Sequence, residues 1–264
     1  MKISKAVITG ASSGIGHAVC DQLTSLGTKV FAISRNPEKI TAKENLFPLK
    51  LDLSDIGEVA EFGNNFIKRY GIPDLLVNNA GYGAFFELDE FPVDQIELQI
   101  KILFTSPVIL CKFFAPLMRE SKGVILNVSS LATLYPLPYM PIYNAGKSAL
   151  SSFTQSMNLE SNNELRWIDF RLGDINTGFN DSALKQDIES QSKSMRNAWR
   201  QIDKQLMDSP DAKFAANKMI QSILENKNGT LFRGNFFQSR MAPILRIFLS
   251  SKMLIKVLKN RYKI

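Results

Sequence analysis

The 264-residue sequence is poor in side chains that several classes of protein require. It has two cysteines, Cys20 and Cys111, and one histidine, His17. Two cysteines cannot build a disulfide framework or a zinc site, so we expect no metal and a reducing compartment. One imidazole excludes any mechanism that needs two, and we expect His17 to be a structural residue on a helix face.

Long apolar segments are also absent. No run of 18 or more consecutive apolar residues occurs, so we do not expect a membrane-spanning helix. The first residues lack the apolar core of a signal peptide and lead into a predicted strand, which favours a cytoplasmic location.

Acidic residues are missing from the end of the chain. Residues 227–264 contain nine Lys or Arg and no Asp or Glu, which leaves 23 basic and 25 acidic residues elsewhere. A nearly neutral body argues against a nucleic-acid-binding surface on the main domain.

Short apolar runs alternate with helical patterns along most of the chain. This alternation predicts an α/β fold with a parallel sheet covered on both faces. The predicted strands are Lys5–Thr9, Lys29–Ser34, Leu46–Asp52, Asp74–Asn78, Gly123–Ser129, Arg166–Leu172 and Gly229–Phe232. The predicted helices are Gly14–Leu26, Leu53–Tyr70, Val93–Ser121, Ile142–Asn162 and Pro210–Asn226.

A glycine-rich turn follows the first predicted strand and opens the first helix. Glycines let the backbone turn tightly and approach a diphosphate, and the helix N-terminus presents unpaired N–H groups to it. An ordinary tight turn is the alternative. The candidate phosphate-binding residues are Gly10, Ser12, Ser13, Gly14, Ile15 and Gly16.

The second strand ends in Ser34 and Arg35, where a carboxylate would hold an unphosphorylated adenosine ribose. A guanidinium suits a phosphate instead, so we favour NADP(H) over NAD(H), with a solvated surface arginine as the alternative. Asp52 and Leu53 end the third strand and would contact the adenine, or Asp52 would cap the next helix.

Tyr143 and Lys147 lie four residues apart in a predicted helix, thirteen residues after Ser130. Positions i and i+4 share one face of a helix, so the ammonium would lie beside the phenol. A nearby positive charge favours the phenolate and lowers the pKa of the phenol. The pair therefore predicts a group that exchanges a proton with a carbonyl oxygen.

In this order, the motifs resemble those of the short-chain dehydrogenase/reductase family, in its form of about 250 residues. The matching pieces are Thr9-Gly10-x-x-x-Gly14-x-Gly16, Asp52-Leu53, Asn78-Asn79-Ala80-Gly81, Asn127-Val128-Ser129-Ser130, Tyr143-x-x-x-Lys147 and Gly173-Asp174-Ile175-Asn176-Thr177. The resemblance implies a Rossmann-like, doubly wound, seven-stranded parallel sheet in the order 3-2-1-4-5-6-7, forming one domain over residues 1–235.

The resemblance also implies roles for individual residues. Tyr143 would be the general acid or base, Ser130 would hold the substrate oxygen, and Lys147 would bind the nicotinamide ribose and lower the tyrosine pKa. Ser129 would pack or cap the strand end. The expected cofactor contacts elsewhere are Asn79, Ala80 and Gly81 on the adenosine side, and Ile175 and Thr177 at the carboxamide. A homodimer or homotetramer is implied in the same way.

Two positions depart from the family pattern. Leu103 stands where an asparagine usually holds a water in a proton relay, so the relay would take another route or run more slowly. Leu172 replaces a proline, which mainly frees the backbone before residues 174–207. We interpret that segment as a mobile substrate flap, with a solvated pair of connecting helices as the alternative.

Residues 131–141 lie between the serine and the tyrosine and contain no charged side chain. Together with Tyr82, Phe85, Phe86 and Phe179 they predict an apolar wall and a lipophilic carbonyl or alcohol substrate. Some of these residues would instead belong to the core.

Residues 236–264 form a separate, basic amphipathic helical tail in our interpretation. Such a helix would contact an anionic membrane surface peripherally. Covering the cleft or docking in an oligomer is an equally supported alternative.

The leading functional hypothesis is an NADP(H)-dependent oxidoreductase that interconverts a carbonyl and an alcohol. A catalytically weak dinucleotide-binding regulator, or a membrane-docked scaffold, is the rival, and epimerisation or dehydration on the same scaffold is a third interpretation.

Overall fold

The structure is a computed structural model that describes residues 3–162, 164–179, 183–185 and 187–264, except for the side chain of Ser190. A seven-stranded parallel sheet has the strand order β3-β2-β1-β4-β6-β7-β9, and β5 and β8 form a second, two-stranded sheet. The strands are β1 (Lys5–Thr9), β2 (Lys29–Ser34), β3 (Leu46–Lys50), β4 (Leu75–Asn78), β5 (Ala84–Phe85), β6 (Val124–Ser130), β7 (Arg166–Leu172), β8 (Leu184–Lys185) and β9 (Gly229–Arg233).

Helices cover both faces of the main sheet. They are α1 (Gly14–Ser25), α2 (Ile56–Tyr70), α3 (Val93–Ile100), α4 (Ser106–Glu120), α5 (Pro141–Glu160), α6 (Lys193–Met207), α7 (Ala212–Leu224), α8 (Ala242–Phe248) and α9 (Ser251–Tyr262). The predicted seven-stranded order is therefore confirmed, once the short strands β5 and β8 are set aside.

Two apolar clusters explain why the central strands are buried throughout. Successive side chains of a strand point to opposite faces of the sheet. Ile8 of β1 packs with Val19 of α1 and Met219 of α7 on one face. Val7 packs with Phe66 of α2 and Phe114 of α4 on the other. Continuous apolar strands in the sequence thus reflect a sheet with no solvent-exposed face.

The link between β3 and α2 corrects one prediction. The expected helix Leu53–Tyr70 begins only at Ile56, because Asp55 caps it by accepting a hydrogen bond from the Glu58 amide at 2.9 Å. Asp52 instead accepts from the amide and hydroxyl of Ser54, at 2.9 and 2.7 Å. This turn explains why β3 ends at Lys50 and not at Asp52 as predicted. The alternative in which Asp52 caps the next helix is wrong, because Asp55 does so.

The long helix predicted at Val93–Ser121 contains an irregularity. A π-helical segment, Lys101–Thr105, separates α3 from α4. Val93–Glu120 is apolar and long enough to cross a membrane, but the core helix of a soluble protein passes the same test. Leu110 and Phe114 of this helix are fully buried against the sheet.

A small parallel pair, β5 with β8, was not expected from the sequence. Ala84 pairs with Leu184 and Phe85 with Lys185, which brings part of the expected flap against the segment after β4. The flap also contains α6, whose Met195, Ala198 and Ile202 are buried. Residues 180–182 and 186 of the expected flap lie outside the described residues.

A buried ionic cluster lies beneath the carboxyl ends of β6 and β7. Asp169 accepts hydrogen bonds from Ser129, from the Ser151 hydroxyl at 2.7 Å and from Arg171 Nε at 2.8 Å. Asp169 is 1% exposed. Ser129 therefore donates a hydrogen bond to the buried carboxylate of Asp169. The negative charge of Asp169 offsets the free-energy cost of removing the Arg171 guanidinium from water.

We expect Asp169→Asn to lower the free energy of unfolding by about 3 kcal/mol, because it leaves a buried guanidinium without a counter-charge. Urea unfolding followed by circular dichroism measures this change. Glu225→Gln removes one partner of the exposed Lys227–Glu225 pair and should cost less than about 1 kcal/mol. Equal effects of the two substitutions would contradict this account of the cluster.

Candidate active site

The glycine turn after β1 packs against the end of β4 with no room for side chains. A Cβ on Gly10 would lie 2.8 Å from Ala80 Cα, and one on Gly16 would lie 2.2 Å from the Gly10 carbonyl oxygen. Asn79 Nδ2 donates to the Thr9 carbonyl at 3.0 Å, and the Thr9 hydroxyl accepts from the Asn79 and Ala80 amides. These contacts fix the turn, so its backbone is available for close approach by a ligand.

The N-terminus of α1 opens directly from this turn. Ser13 is its N-cap residue but makes no capping hydrogen bond with its side chain. Gly14 has φ +52°, and a Cβ on it would lie 3.7 Å from Thr177 Cβ. A helix end of this kind offers N–H donors and partial positive charge to an anion, so the cradle fits a diphosphate.

One cleft of about 810 Å³ runs from this turn to the end of β6. Of the residues predicted to bind the cofactor or to carry the catalysis, Gly16 is the one that does not line it, because it lies beneath the turn. Of the predicted apolar wall, Tyr82, Leu137 and Phe179 line the cleft, whereas Phe85, Phe86 and the rest of residues 131–141 do not. The cleft is lined by Gly10, Ser12, Ser13, Gly14, Ile15, Ser34, Arg35, Asp52, Leu53, Asn79, Ala80, Gly81, Ser130, Tyr143, Lys147, Ile175 and Thr177.

The far end of the cleft, at the end of β2, is basic. Arg35 is exposed there, and Asn36 and Lys39 line the same end. Ser34 is buried, and its hydroxyl accepts from the Asn36 amide at 3.1 Å. Among the described residues, no acidic side chain of β2 or of the turn after it lines the cleft.

Ser130, Tyr143 and Lys147 converge at the other end. Ser130 ends β6, where its hydroxyl accepts from the Ala132 amide at 3.1 Å and shares a hydrogen bond with the Tyr143 hydroxyl. Lys147, one turn further along α5, donates from Nζ to the Val128 carbonyl at 2.6 Å. The predicted i, i+4 arrangement on one helix is observed.

The expected lowering of the tyrosine pKa is not observed in this arrangement. Burial raises the pKa of Tyr143 to about 12, the Ser130 hydrogen bond opposes the rise, and the charge of Asp174 adds to it. Lys147 Nζ lies 6.0 Å from the centre of the tyrosine ring and bonds to the backbone instead. Tyr143 therefore holds its proton at neutral pH.

The lysine is also perturbed. Burial lowers the pKa of Lys147 to about 8, and the nearby charge of Asp169 opposes this shift. Leu103, in the π-helical segment, is fully buried between two glycines of the site. A Cβ on Gly81 or on Gly146 would lie 2.9 Å from the Leu103 side chain. An apolar group therefore stands beside the lysine where the family pattern has an amide.

Asp174 is a charged residue of the cleft that sequence reasoning missed. Its side chain is partly buried, at 25% exposed, and burial raises its pKa. Its carboxylate accepts from Gln238 Nε2 at 2.6 Å, and Arg261 Nη2 lies 4.0 Å from it. Both partners come from the tail, which the sequence pattern predicts as a separate unit. The only sequence signal was an acidic residue in the Gly173–Thr177 motif.

The substrate side of the cleft is apolar and aromatic. The rings of Tyr143 and Phe179 lie 5.7 Å apart, and Phe85 packs against Tyr139 and Trp199 at 5.4 and 5.0 Å. Phe86 instead belongs to a separate cluster with Ala84 and Phe91, so its expected place in the wall is wrong. Tyr143 and Phe85 belong to a buried apolar cluster that also contains Met140, Met195, Ile202, Leu254, Leu258 and Tyr262. Leu137 and Leu206 pack against this cluster and line the cleft.

His17 stands outside this cleft. Its Nε2 lies 3.3 Å from an Asp21 carboxylate oxygen on the same helix, α1. That position is consistent with the structural role expected from the sequence.

Two curated relatives align with most of this chain. A 3-ketodihydrosphingosine reductase of Bacteroides thetaiotaomicron is 30% identical over 70% of this chain and 69% of its own length. An NADPH-dependent 1-acyldihydroxyacetone phosphate reductase of Saccharomyces cerevisiae is 26% identical over 98% of this chain and 91% of its own length. An uncharacterized oxidoreductase of Schizosaccharomyces pombe is 36% identical over 58% of this chain, and the match spans about half, 54%, of that relative.

A short-chain dehydrogenase from Streptomyces avermitilis has the same fold. Its structure superimposes with a TM-score of 0.81 at 19% identity, over 99% of this chain and 96% of that one. Residues 4–193 match the sequence profile of the family described as short chain dehydrogenase. With the strand order and the profile in agreement over most of its length, the chain belongs to the short-chain dehydrogenase family of oxidoreductases.

Proposed function

We propose that this protein interconverts a carbonyl and an alcohol with NADP(H), and that its substrate is lipophilic. The observation that carries the proposal is the convergence of Ser130, Tyr143 and Lys147 at one end of a cleft. The other end offers a glycine turn, a helix N-terminus and a guanidinium. A cleft that joins a phosphate-binding end to a catalytic end can hold a dinucleotide beside a small molecule so that the two react.

The bound nicotinamide would supply or accept the hydride. Side chains of this protein bind the substrate oxygen and transfer its proton. Ser130 holds the substrate oxygen by a hydrogen bond that strengthens as charge develops on it. Tyr143 gives its proton to that oxygen in reduction and takes it back in oxidation. Lys147, anchored on the Val128 carbonyl, supplies positive charge beside them and would hold the ribose.

The raised pKa of Tyr143 favours reduction at neutral pH. With a pKa raised to about 12, the phenol is almost entirely protonated and ready to act as an acid. Oxidation needs the phenolate, which is scarce under those conditions. This direction agrees with the usual supply of NADPH for reductive chemistry.

Two features support NADP(H) over NAD(H). Arg35 and Lys39 line the end of the cleft that follows β2. The yeast relative is named as NADPH-dependent and aligns along nearly the whole chain. A planar guanidinium donates two parallel hydrogen bonds to a phosphate, which an unphosphorylated ribose does not need.

The apolar wall supports a lipophilic substrate. Phe179 and Leu137 line the cleft with Tyr143, and Met140 packs in the same apolar cluster. The bacterial and yeast reductases that align with most of this chain are named for the reduction of 3-ketodihydrosphingosine and of 1-acyldihydroxyacetone phosphate. We therefore propose that the substrate of this chain is a ketone or aldehyde with a long apolar part.

The expected assembly rests on the resemblance, and the expected location rests on the sequence pattern. We propose a homodimer or homotetramer in the cytoplasm, with peripheral membrane contact through residues 236–264. A dinucleotide-binding regulator without turnover remains the rival, and Leu103 is the residue that favours it, because the amide of the usual proton relay is lost.

We expect Tyr143→Phe to reduce kcat for NADPH-dependent ketone reduction by about 100-fold or more, because the proton donor is removed while the ring packing stays. Stopped-flow fluorescence should show unchanged NADPH binding. Tyr70→Phe is the matched control, since Tyr70 lies in the aromatic cluster of α2 far from the cleft. Full turnover in the Tyr143 variant would contradict the assigned role.

Arg35→Ala should raise KM for NADPH by about tenfold to 100-fold, the value of one or two lost charge-assisted hydrogen bonds. KM for NADH should stay within about twofold. Steady-state kinetics with both cofactors measure the difference, and Arg119→Ala, an exposed arginine of α4, is the control. If the KM values for NADPH and NADH rose by the same factor, Arg35 would not contact the phosphate that distinguishes the two cofactors.

The pH profile of kcat/KM for NADPH should report the free enzyme. Lys147 is charged below its lowered pKa of about 8 and neutral above it. We therefore expect kcat/KM for reduction to fall about tenfold per pH unit above pH 8 or so. Tyr143 keeps its proton in this range and should add no second fall. A flat profile from pH 7 to 10 would show that the lysine charge is not required.

A further inference from the structure

The outer surface of residues 236–264 is unusually apolar. Of the 20 exposed large apolar side chains among the described residues, 11 lie in this stretch of 29 residues. Ile247 and Phe248 of α8 are 78% and 76% exposed. Such a concentration on one short segment of a folded chain marks an interaction site rather than ordinary scatter.

The same segment carries the whole net charge of the protein. Seven of the 32 Lys and Arg residues lie at 236–264, together with no Asp or Glu. The remaining 25 basic residues balance the 25 acidic residues of the rest of the chain. The net charge of +7 therefore belongs to the segment that also exposes the apolar side chains.

Helix α9 separates these properties into three faces. Leu254, Leu258 and Tyr262 are buried and pack in the cluster that contains Tyr143. At about 100° per residue, Lys252, Lys256 and Lys259 lie roughly 100–160° to one side of that stripe, with the exposed Ile255 between them and the stripe. Met253 and Val257 are exposed and lie roughly 100–140° to the other side. The outer half of the helix is thus part lysine and part apolar.

A second copy of the chain does not fit this surface well. A two-fold interface brings the same patch of both subunits together. Without Arg261, which lies 4.0 Å from Asp174, each patch holds six bases and no acidic residue of its own, so two patches would bring 12 positive charges together. An anionic headgroup layer over hydrocarbon offers both the negative charge and the apolar depth that the surface needs.

We propose that the outer surface of residues 236–264, which we call the tail surface, binds the anionic face of a lipid bilayer. Lysines reach the headgroups, and Ile247, Phe248 and Met253 enter the acyl boundary. The inner face of α9 packs in the cluster that contains Tyr143, and Arg261 approaches Asp174, which lines the cleft. Docking therefore places the membrane next to the helix that packs in the cluster of the catalytic tyrosine. That last step rests on the proposed function, whereas the docking itself does not.

The test uses the full chain and vesicles of phosphatidylcholine with or without 30% phosphatidylserine. We expect co-sedimentation with the anionic vesicles at least tenfold stronger than with the neutral ones, and its loss in 0.5 M salt. Ile247→Glu/Phe248→Glu should weaken binding at least tenfold. Val93→Glu is the matched control, because Val93 is 81% exposed on α3.

Charge is tested separately. Lys252→Glu/Lys256→Glu/Lys259→Glu should abolish the preference for anionic vesicles. Lys29→Glu/Lys68→Glu/Lys122→Glu changes the net charge equally, at exposed lysines outside the tail, and should leave the preference intact. Circular dichroism shows that each variant is folded.

Three outcomes would overturn the docking proposal. These are equal binding to neutral and anionic vesicles, equal loss in the two triple variants, and no vesicle binding by the unmodified chain together with dissociation of its dimer by Ile247→Glu/Phe248→Glu. Tyr143→Phe should bind vesicles like the unmodified chain. A failed reductase assay with intact vesicle binding would therefore count against the proposed function alone.

Discussion

The hydrogen bond from the Lys147 ammonium to the Val128 carbonyl is the contact on which the site depends. It holds α5 against the carboxyl end of β6, and so places Tyr143 within hydrogen-bonding range of Ser130. Removing both side chains from water raises the pKa of the phenol and lowers that of the amine. The buried Asp169 cluster opposes the second shift, which keeps the lysine charge available near neutral pH. The protonation of both groups is thus set by burial and, for Lys147, by the buried carboxylate of Asp169 on β7.

The sheet and the cofactor cradle were predictable because they rest on local patterns. Short apolar runs, a glycine turn and the Tyr143–Lys147 spacing each act within a few residues, and the structure has all three. Contacts between distant segments were not predictable in this way. Asp169 gave no periodic signal, and the β5–β8 pair joins residues about 100 positions apart. The predicted lowering of the Tyr143 pKa by Lys147 is also not observed, because helical spacing does not indicate how completely each group is removed from water.

Residues 236–264 pack against the protein interior on one side and face outward on the other. From sequence, the membrane and cleft-covering interpretations competed for residues 236–264. The structure buries the stripe of Leu254, Leu258 and Tyr262 in the cluster that contains Tyr143 and leaves the other two faces of α9 outside. Gln238 and Arg261 also reach Asp174, which lines the cleft. A reductase built in this way would have its apolar outer surface on the segment whose inner face packs against the surroundings of its catalytic tyrosine.

The most direct measurement follows the hydride itself. The protein would be incubated with a long-chain ketone and NADPH that carries deuterium at both C4 positions of the nicotinamide, and the alcohol would be analysed by mass spectrometry. The account predicts one deuterium on the carbinol carbon and none elsewhere in the product. Tight binding of NADPH without any labelled alcohol, across ketones and aldehydes of different chain length, would contradict it and leave a dinucleotide-binding protein without turnover.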